Sequence, residues 1–511
     1  MKNNLTKIRP KILKTDDYQE FENLLTSGGD ERLELGKNGL NKYLTGLKPE
    51  NNLIERSSCT ASNIKKDEYF YSFNLYKKLK KGNIKFSEEM EDIHKRIRNI
   101  FKIENNHSII TIPSGTDSEY IPLWIAQYFF SDNKNVTNII CGSGEIGKDC
   151  PISASGLYHK KKLPSSRETK PNKILQGLSK PRLVEFPNRD EKTGRILNIF
   201  DDIITEIKNE IEKNDNFVIL HILESSKLGH RYDEMNKIID LANKYVNHLL
   251  IVVDACQSRT DINRIRNYLK IGCVVLITGS KFEQGPPFSG AVLIPPKIKI
   301  SKNKKVKFPE GLKDFVTKYD VSGPIDFIKE QLPKRMNMGL MFRWNIGITN
   351  WEDYRKLNFN TRKFIVNSWV DKIIKLIKKY QNISLFSGGE YQPGSVGDVN
   401  SIFSLKLTHK NKFLNYNELK NVFYLMRKDM RNIGSLSSCY NEKNFLKKKF
   451  LVGQPVSINN LNIIRIALGA RMVNEIHNKG IEKVLKQDED LLNKMNFLAK
   501  NYKTIKNTPK D

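Results

Sequence analysis

The chain has 511 residues, 39% of them apolar, which is enough for a sizeable core and for two or more domains sharing a cleft. It carries 86 Lys and Arg against 57 Asp and Glu, a formal charge of +29. Its six cysteines (59, 141, 150, 256, 273 and 439) show no CxxC pair, and no window reaches the ~18 consecutive apolar residues of a membrane-spanning helix, which argues against a disulfide-built scaffold, a zinc site and a membrane span.

Met1-Lys2-Asn3-Asn4 leads into no apolar run, so no signal peptide is expected, and a reducing, cytoplasmic compartment fits. The positive charge suits a polyanion partner such as nucleic acid. The basic residues are nevertheless spread along the chain, at Lys77-Lys78, Lys160 to Lys162, Lys302 to Lys307 and Lys447 to Lys449. None of these runs is interleaved with aromatics on which bases would stack. Joint over-use of Lys, Asn and Ile accounts for the charge, so no nucleic-acid partner is expected. The field would still steer anionic ligands.

In chain order, residues 1–85 are polar and mixed. They include Arg56-Ser57-Ser58-Cys59-Thr60-Ala61-Ser62, a small-residue stretch that fits either a site wall or a surface loop. Residues 87–102 predict a helix, with Ser87 as cap, acids early and Lys and Arg late. From 107 to 296, strands at 108–112, 136–141, 217–222, 249–253, 273–278 and 290–294 are interspersed with helices at 117–130, 200–213 and 233–247. That pattern predicts a mostly parallel sheet covered on both faces. The segments 151–183 and 297–335 read as insertions or long loops. Residues 350–380 read as one long helix, from the spacing of Trp351, Tyr354, Phe364, Ile365, Val366, Trp369, Ile373 and Ile374. An α+β unit follows, with strands near 400–407 and 461–467 and helices near 416–432 and 473–495.

The expected fold class is α/β: a three-layer α/β/α large domain with a mostly parallel sheet, plus a smaller C-terminal α+β domain. The expected units are an N-terminal segment (1–85) partly lining the site, a large domain (86–345), a linking helix (346–380), a small domain (381–500) and a tail (501–511).

Three segments of the βα region carry chemistry, and ligands bind at the carboxyl ends of such strands. In Pro113-Ser114-Gly115-Thr116-Asp117, a strand ends in a small-residue turn before a helix. Free N–H groups there suit a phosphate, Gly115 permits close approach, and the hydroxyls of Ser114 and Thr116 can donate. An ordinary helix cap explains the same residues. In Val253-Asp254-Ala255-Cys256-Gln257, an acid ends an apolar strand, where it needs a cationic partner or a capping role. In Thr278-Gly279-Ser280-Lys281, two hydroxyls precede a lysine at the end of the next strand. Asp254 and Lys281 together are what pyridoxal phosphate (PLP) requires: a lysine for the Schiff base and a carboxylate for the pyridinium nitrogen. Gln257 would reach the cofactor's 3-hydroxyl, and Thr278 and Ser280 its phosphate.

Together these segments, with His221-Ile222-Leu223-Glu224-Ser225-Ser226-Lys227-Leu228-Gly229, resemble fold-type I PLP enzymes, most closely the class V aminotransferase and cysteine desulfurase group. The resemblance spans about residues 70 to 480. It implies a homodimer acting on an amino acid. Ile463-Ile464-Arg465-Ile466-Ala467 is similar to the group's C-terminal strand, whose Arg clamps the substrate carboxylate; that role falls to Arg465, with Arg471 in reserve. Cys439 lies on a small-residue loop before Arg465, as the nucleophile of a cysteine desulfurase does, but Tyr440-Asn441-Glu442-Lys443 departs from the group's run of small residues. Two further departures are Ser280, where the group has His, and the loop Cys141-Gly142-Ser143-Gly144-Glu145, which has no ring to stack on the cofactor and places Glu145 near that position. His221 fits either a cofactor contact or a packed core residue. The expectation is an aminotransferase, with a desulfurase or β-lyase using Cys439 as the alternative. A catalytically degenerate nucleic-acid-binding protein on the same fold is the rival from another class.

Overall fold

The computed structural model describes residues 15–130, 134–231, 234–298, 306–386, 401–431, 444–458 and 461–505. The strands in chain order are β1 (Leu53–Arg56), β2 (Ser108–Ile112), β3 (Val136–Ser143), β4 (Arg182–Pro187), β5 (Phe217–Leu223), β6 (Leu249–Asp254), β7 (Val274–Thr278), β8 (Gly290–Ile294), β9 (Val321–Ser322), β10 (Ile383–Leu385), β11 (Ile402–His409), β12 (Lys412–Phe413), β13 (Lys449–Ile458) and β14 (Leu461–Ala467).

Eight strands form one sheet in the order β4-β3-β5-β6-β7-β8-β2-β9. From β4 to β7 all neighbours are parallel, and β8 is antiparallel to both β7 and β2. The strand sequences dictate the layering. Successive side chains point to opposite faces, yet β6 is apolar at every position before Asp254. Ile251 and Val253 therefore join one hydrophobic core while Leu250 and Val252 join another. A strand that must bury both faces needs cover on both, and the result is the three-layer arrangement.

The second core takes in residues of both segments read as insertions or long loops, 151–183 and 297–335. Leu163, Leu175 and Leu178 from the first, and Phe308, Leu312, Phe315, Ile325 and Ile328 from the second, are buried in it. The Trp124 ring meets Phe308 edge-on, 4.9 Å between centroids. The later segment also supplies β9, the edge strand. Lysine-rich loops around these apolar positions hid their packing role.

The second sheet has the order β1-β13-β14-β11-β10, with β12 pairing β11. β1 pairs in parallel with β13, so the N-terminal segment is built into this sheet. The single helix read at 350–380 is two, Met338–Lys356 and Phe359–Ile377. Asn358 ends the continuity by capping the second, its side chain accepting from the Thr361 N–H at 2.9 Å. Likewise 473–495 divides into Ala470–Lys479 and Ile481–Lys500 at Gly480, whose φ of 80° breaks the helix. Among the described residues, no helix is long and apolar enough to cross a membrane.

Candidate active site

A cavity of about 340 Å³ opens where the carboxyl ends of β5, β6 and β7 meet β14 of the second sheet. Ser114, Gly115, Thr116, Asp254, Gln257, Thr278, Ser280, Lys281 and Arg465 all line it. Residues far apart in the chain are thus brought to one space by strand order. Parallel β5, β6 and β7 deliver their C-terminal ends together, and β14 closes the opposite side.

Asp254 is the last residue of β6. Its Oδ1 accepts the Cys256 N–H at 2.9 Å. No lysine or arginine among the described residues pairs with it. Burial, and then the nearby Glu119 carboxylate, push its acid up to about 6. A carboxylate in this position favours a proton or a cationic ligand.

Lys281 follows β7 by a short turn. Its Nζ donates to the Thr60 carbonyl at 2.5 Å. Burial is the main reason its ammonium is held down to about 8, and the positive charges of Arg465 and Arg32 act in the same direction. An amine so placed is partly free base near neutral pH, which a nucleophilic lysine requires.

Two hydroxyls expected to face a phosphate, and the amide expected at the 3-hydroxyl, are engaged within the protein. Ser114 is a helix cap: its Oγ donates to Asp117 Oδ2 at 2.7 Å and accepts from the Asp117 N–H at 3.1 Å. The Thr278 Oγ1 donates to the Cys256 carbonyl at 2.6 Å. Gln257 spends its amide N–H on the Cys59 carbonyl at 3.3 Å, and its Oε1 accepts from Arg259 at 3.0 Å. All three residues border the cavity while holding its wall, because small polar side chains near chain turns find local partners first. Thr116 and Ser280 line it with no such tie to a backbone carbonyl among the described residues.

Gly115 lets the backbone pack against Cys256 where any side chain would collide. A Cβ there would lie 2.8 Å from Cys256 Sγ and 3.4 Å from Thr278 Cγ2. Gly115→Ala is expected to cost about 1–3 kcal/mol of stability by overpacking. Urea unfolding of G115A, C256A and the double variant checks this. The double variant should recover part of the loss, since the two changes share one contact.

Arg465 sits in β14 opposite Ser404 and Gly453, and is 4% exposed. Its guanidinium donates to the Lys227 carbonyl at 2.9 Å, the Gln454 carbonyl at 3.0 Å and Thr60 Oγ1 at 3.1 Å. A register shift in β13 just after Gly453 presents that Gln454 carbonyl. All of these partners are neutral. A buried guanidinium without a carboxylate is an unanswered charge facing a cavity. Arg471, by contrast, is paired with the carboxylates of Glu68 at 3.0 Å and Glu55 at 3.2 Å, and it lies in a separate, larger groove of about 1100 Å³. There it acts as an ordinary ion pair.

His221 is buried with Nδ1 3.0 Å from Glu119 Oε2 and does not line the cavity. Glu145 does border it, but its carboxylate is turned to Arg189 and to Asn188 at 3.0 Å, so it offers no stacking surface. Cys439 lies outside the described residues. Residues the sequence left open or passed over are Cys59 and Thr60, from the small-residue stretch 56–62, and Lys227. The burial of Ser57, Ser58 and Ser62 rules out a surface loop, and Cys59 and Thr60 line the cavity.

No family model matches the chain, and no curated protein is significantly similar to it. Solved structures to which it is similar include a NifS-like protein from Rickettsia africae, at 10% identity and a TM-score of 0.48, covering 85% of this chain and 99% of that one. A phosphoserine aminotransferase from Cytophaga hutchinsonii aligns at 11% identity and a TM-score of 0.47, over 84% and 99% of the two chains. A tryptophan decarboxylase from Catharanthus roseus aligns at 11% identity and a TM-score of 0.49, over 95% and 90%.

Proposed function

We propose that this chain is a PLP-dependent enzyme acting on an amino acid, and that the reaction is transamination of the class V type. One observation carries the proposal. An acid with no cationic partner and a lysine with no anionic partner end neighbouring strands and share one cavity. Both charges are costly as they stand, and a single ligand with a basic ring nitrogen and an aldehyde answers both.

The residues present fit that cofactor. Asp254 would face the ring nitrogen and Lys281 the aldehyde. Thr116, Ser280 and the backbone at Gly115 would face the phosphate. When bound, the cofactor supplies an electron sink for the bonds at the substrate's Cα.

The chain's own groups do the rest. Arg465 holds the substrate carboxylate, its planar fork suiting two parallel hydrogen bonds. Lys281, with its amine held near neutrality, takes the proton from Cα and returns it. The neutral carbonyls around Arg465 keep it oriented without cancelling its charge. Transamination is preferred over desulfuration because Tyr440-Asn441-Glu442-Lys443, after Cys439, lacks the small residues of a desulfurase's nucleophile loop.

The test is the spectrum of the purified protein after incubation with PLP. An absorbance band near about 420 nm, bleached by borohydride, is expected. Amino acids with a keto-acid acceptor should then give the new amino acid. No band would overturn the cofactor reading. A band accompanied by sulfide release from cysteine without an acceptor would overturn transamination.

A further inference from the structure

Among the described residues, Lys281, Arg465 and Lys227 face the cavity with no acid paired to them, as do Lys42 and Lys148, which are exposed. The proposed function uses the first two and leaves Lys227 over. Its Nζ donates to one backbone carbonyl, that of Ile146, at 3.0 Å. An ammonium has three donors, so two remain for a ligand. Glu145 is the acid whose field favours the charge on Lys227, but its Oε1 is held by Arg189 and Asn188 and no ion pair joins it to Lys227. Burial first, then the repulsion of Arg465, hold the Lys227 ammonium down to about 8. Two cations kept side by side without a counter-ion raise the cost of the empty site.

The position of Lys227 in the fold indicates what would answer it. It lies just past the end of β5, and its own carbonyl accepts from Arg465 Nη1 at 2.9 Å. In the sheet, β5 is on one side of β6 and β7 on the other. Ser280 and Lys281 follow β7, and the position of Gly115 is set by contact with Cys256 and Thr278. Lys227 and Arg465 are therefore neighbours on the β5 and β14 side of the cavity.

We propose that Lys227 receives a second anionic group of the substrate, so that the enzyme prefers amino acids with an acidic side chain. The inference rests on the cofactor reading above. With the α-carboxylate on Arg465, the Lys227 ammonium beside it remains for one further carboxylate.

The test is a spectral titration of the PLP-loaded protein with L-aspartate, L-glutamate, L-alanine and L-serine. The acidic pair should half-saturate at concentrations at least about tenfold lower, as expected for a charge-assisted hydrogen bond in a desolvated site. Lys227→Gln should abolish that preference, and Lys227→Arg should retain it. A wild-type protein that responds equally to alanine or serine would overturn the inference, as would an unchanged preference in K227Q. If K227Q does not fold, the wild-type order of acidic over neutral amino acids still decides. Failure of the cofactor reading is distinguishable, because no band would then form and no amino acid would shift it.

Discussion

Lys281→Ala is expected to lose the band near about 420 nm and to lower turnover by at least about 10³-fold, while leaving a folded protein. The two halves of that expectation have different physical origins. Catalytic loss follows from removing the amine that both holds the cofactor and carries the Cα proton. Retention of the fold follows from the direction of the lysine's shift. Its folded value, about 8, lies below the ordinary 10.5. A cation whose value is depressed on folding contributes stability above the unfolded value and loses it as pH falls toward and through the folded one. At neutral pH the cofactor-free chain therefore carries a penalty for Lys281, and alanine removes it. Against that gain, alanine gives up the hydrogen bond to the Thr60 carbonyl. Melting of the cofactor-free variant at pH 7 should match or exceed wild type. Lys281→Arg keeps a cation but cannot supply a neutral amine, so it should be equally inactive. A K281A protein that still forms a borohydride-sensitive band would place the reactive amine elsewhere.

The site was legible in the sequence where position along a strand determines position in space. Asp254 and Lys281 could be placed because each ends a strand that is apolar at nearly every position, and parallel strands align their carboxyl ends. Arg465 could be placed because a guanidinium inside Ile463-Ile464-Arg465-Ile466 must find a polar space. What escaped depends on contacts between distant segments. Lys227 reads as a loop lysine until β14 brings Arg465 against its carbonyl. The hydroxyls of Ser114 and Thr278 read as free donors until Asp117 and the Cys256 carbonyl claim them. β13, with Pro455 and a lysine run before it, carries little strand signal and is a strand because β1 and β14 pair with it. The two segments read as insertions show the same limit: their apolar residues are sparse in sequence and contiguous only once folded. Local period predicts elements, whereas burial of scattered apolar residues and the choice of hydrogen-bond partner are settled by tertiary packing.

Asp254→Asn should make the cofactor-free chain more stable at pH 7.5 and the enzyme about 10²- to 10³-fold slower. The folded value of Asp254, about 6, is above the ordinary 3.8, because burial and then Glu119 oppose its negative charge. A group raised in this way contributes stability that is fully present below pH 3.8 and is lost as pH rises through about 6. A difference of roughly two units corresponds to a penalty on the order of 3 kcal/mol at pH 7.5, as an upper estimate. Asparagine carries no charge, and its side-chain oxygen can still accept the Cys256 N–H that Asp254 accepts at 2.9 Å. Melting curves of the two cofactor-free proteins should therefore converge near pH 4, separate as pH rises to about 6 and keep that separation above it. Cofactor binding should show the opposite preference. The wild-type carboxylate gains a cationic partner at the ring nitrogen, so wild-type affinity should fall as Asp254 protonates below about pH 6, and the variant should lack that pH dependence. A residue kept for structure would behave in the reverse way, its removal destabilising the cofactor-free chain at every pH. Lower stability of cofactor-free D254N at pH 7.5, or unchanged turnover, would assign Asp254 to the fold and not to the cofactor.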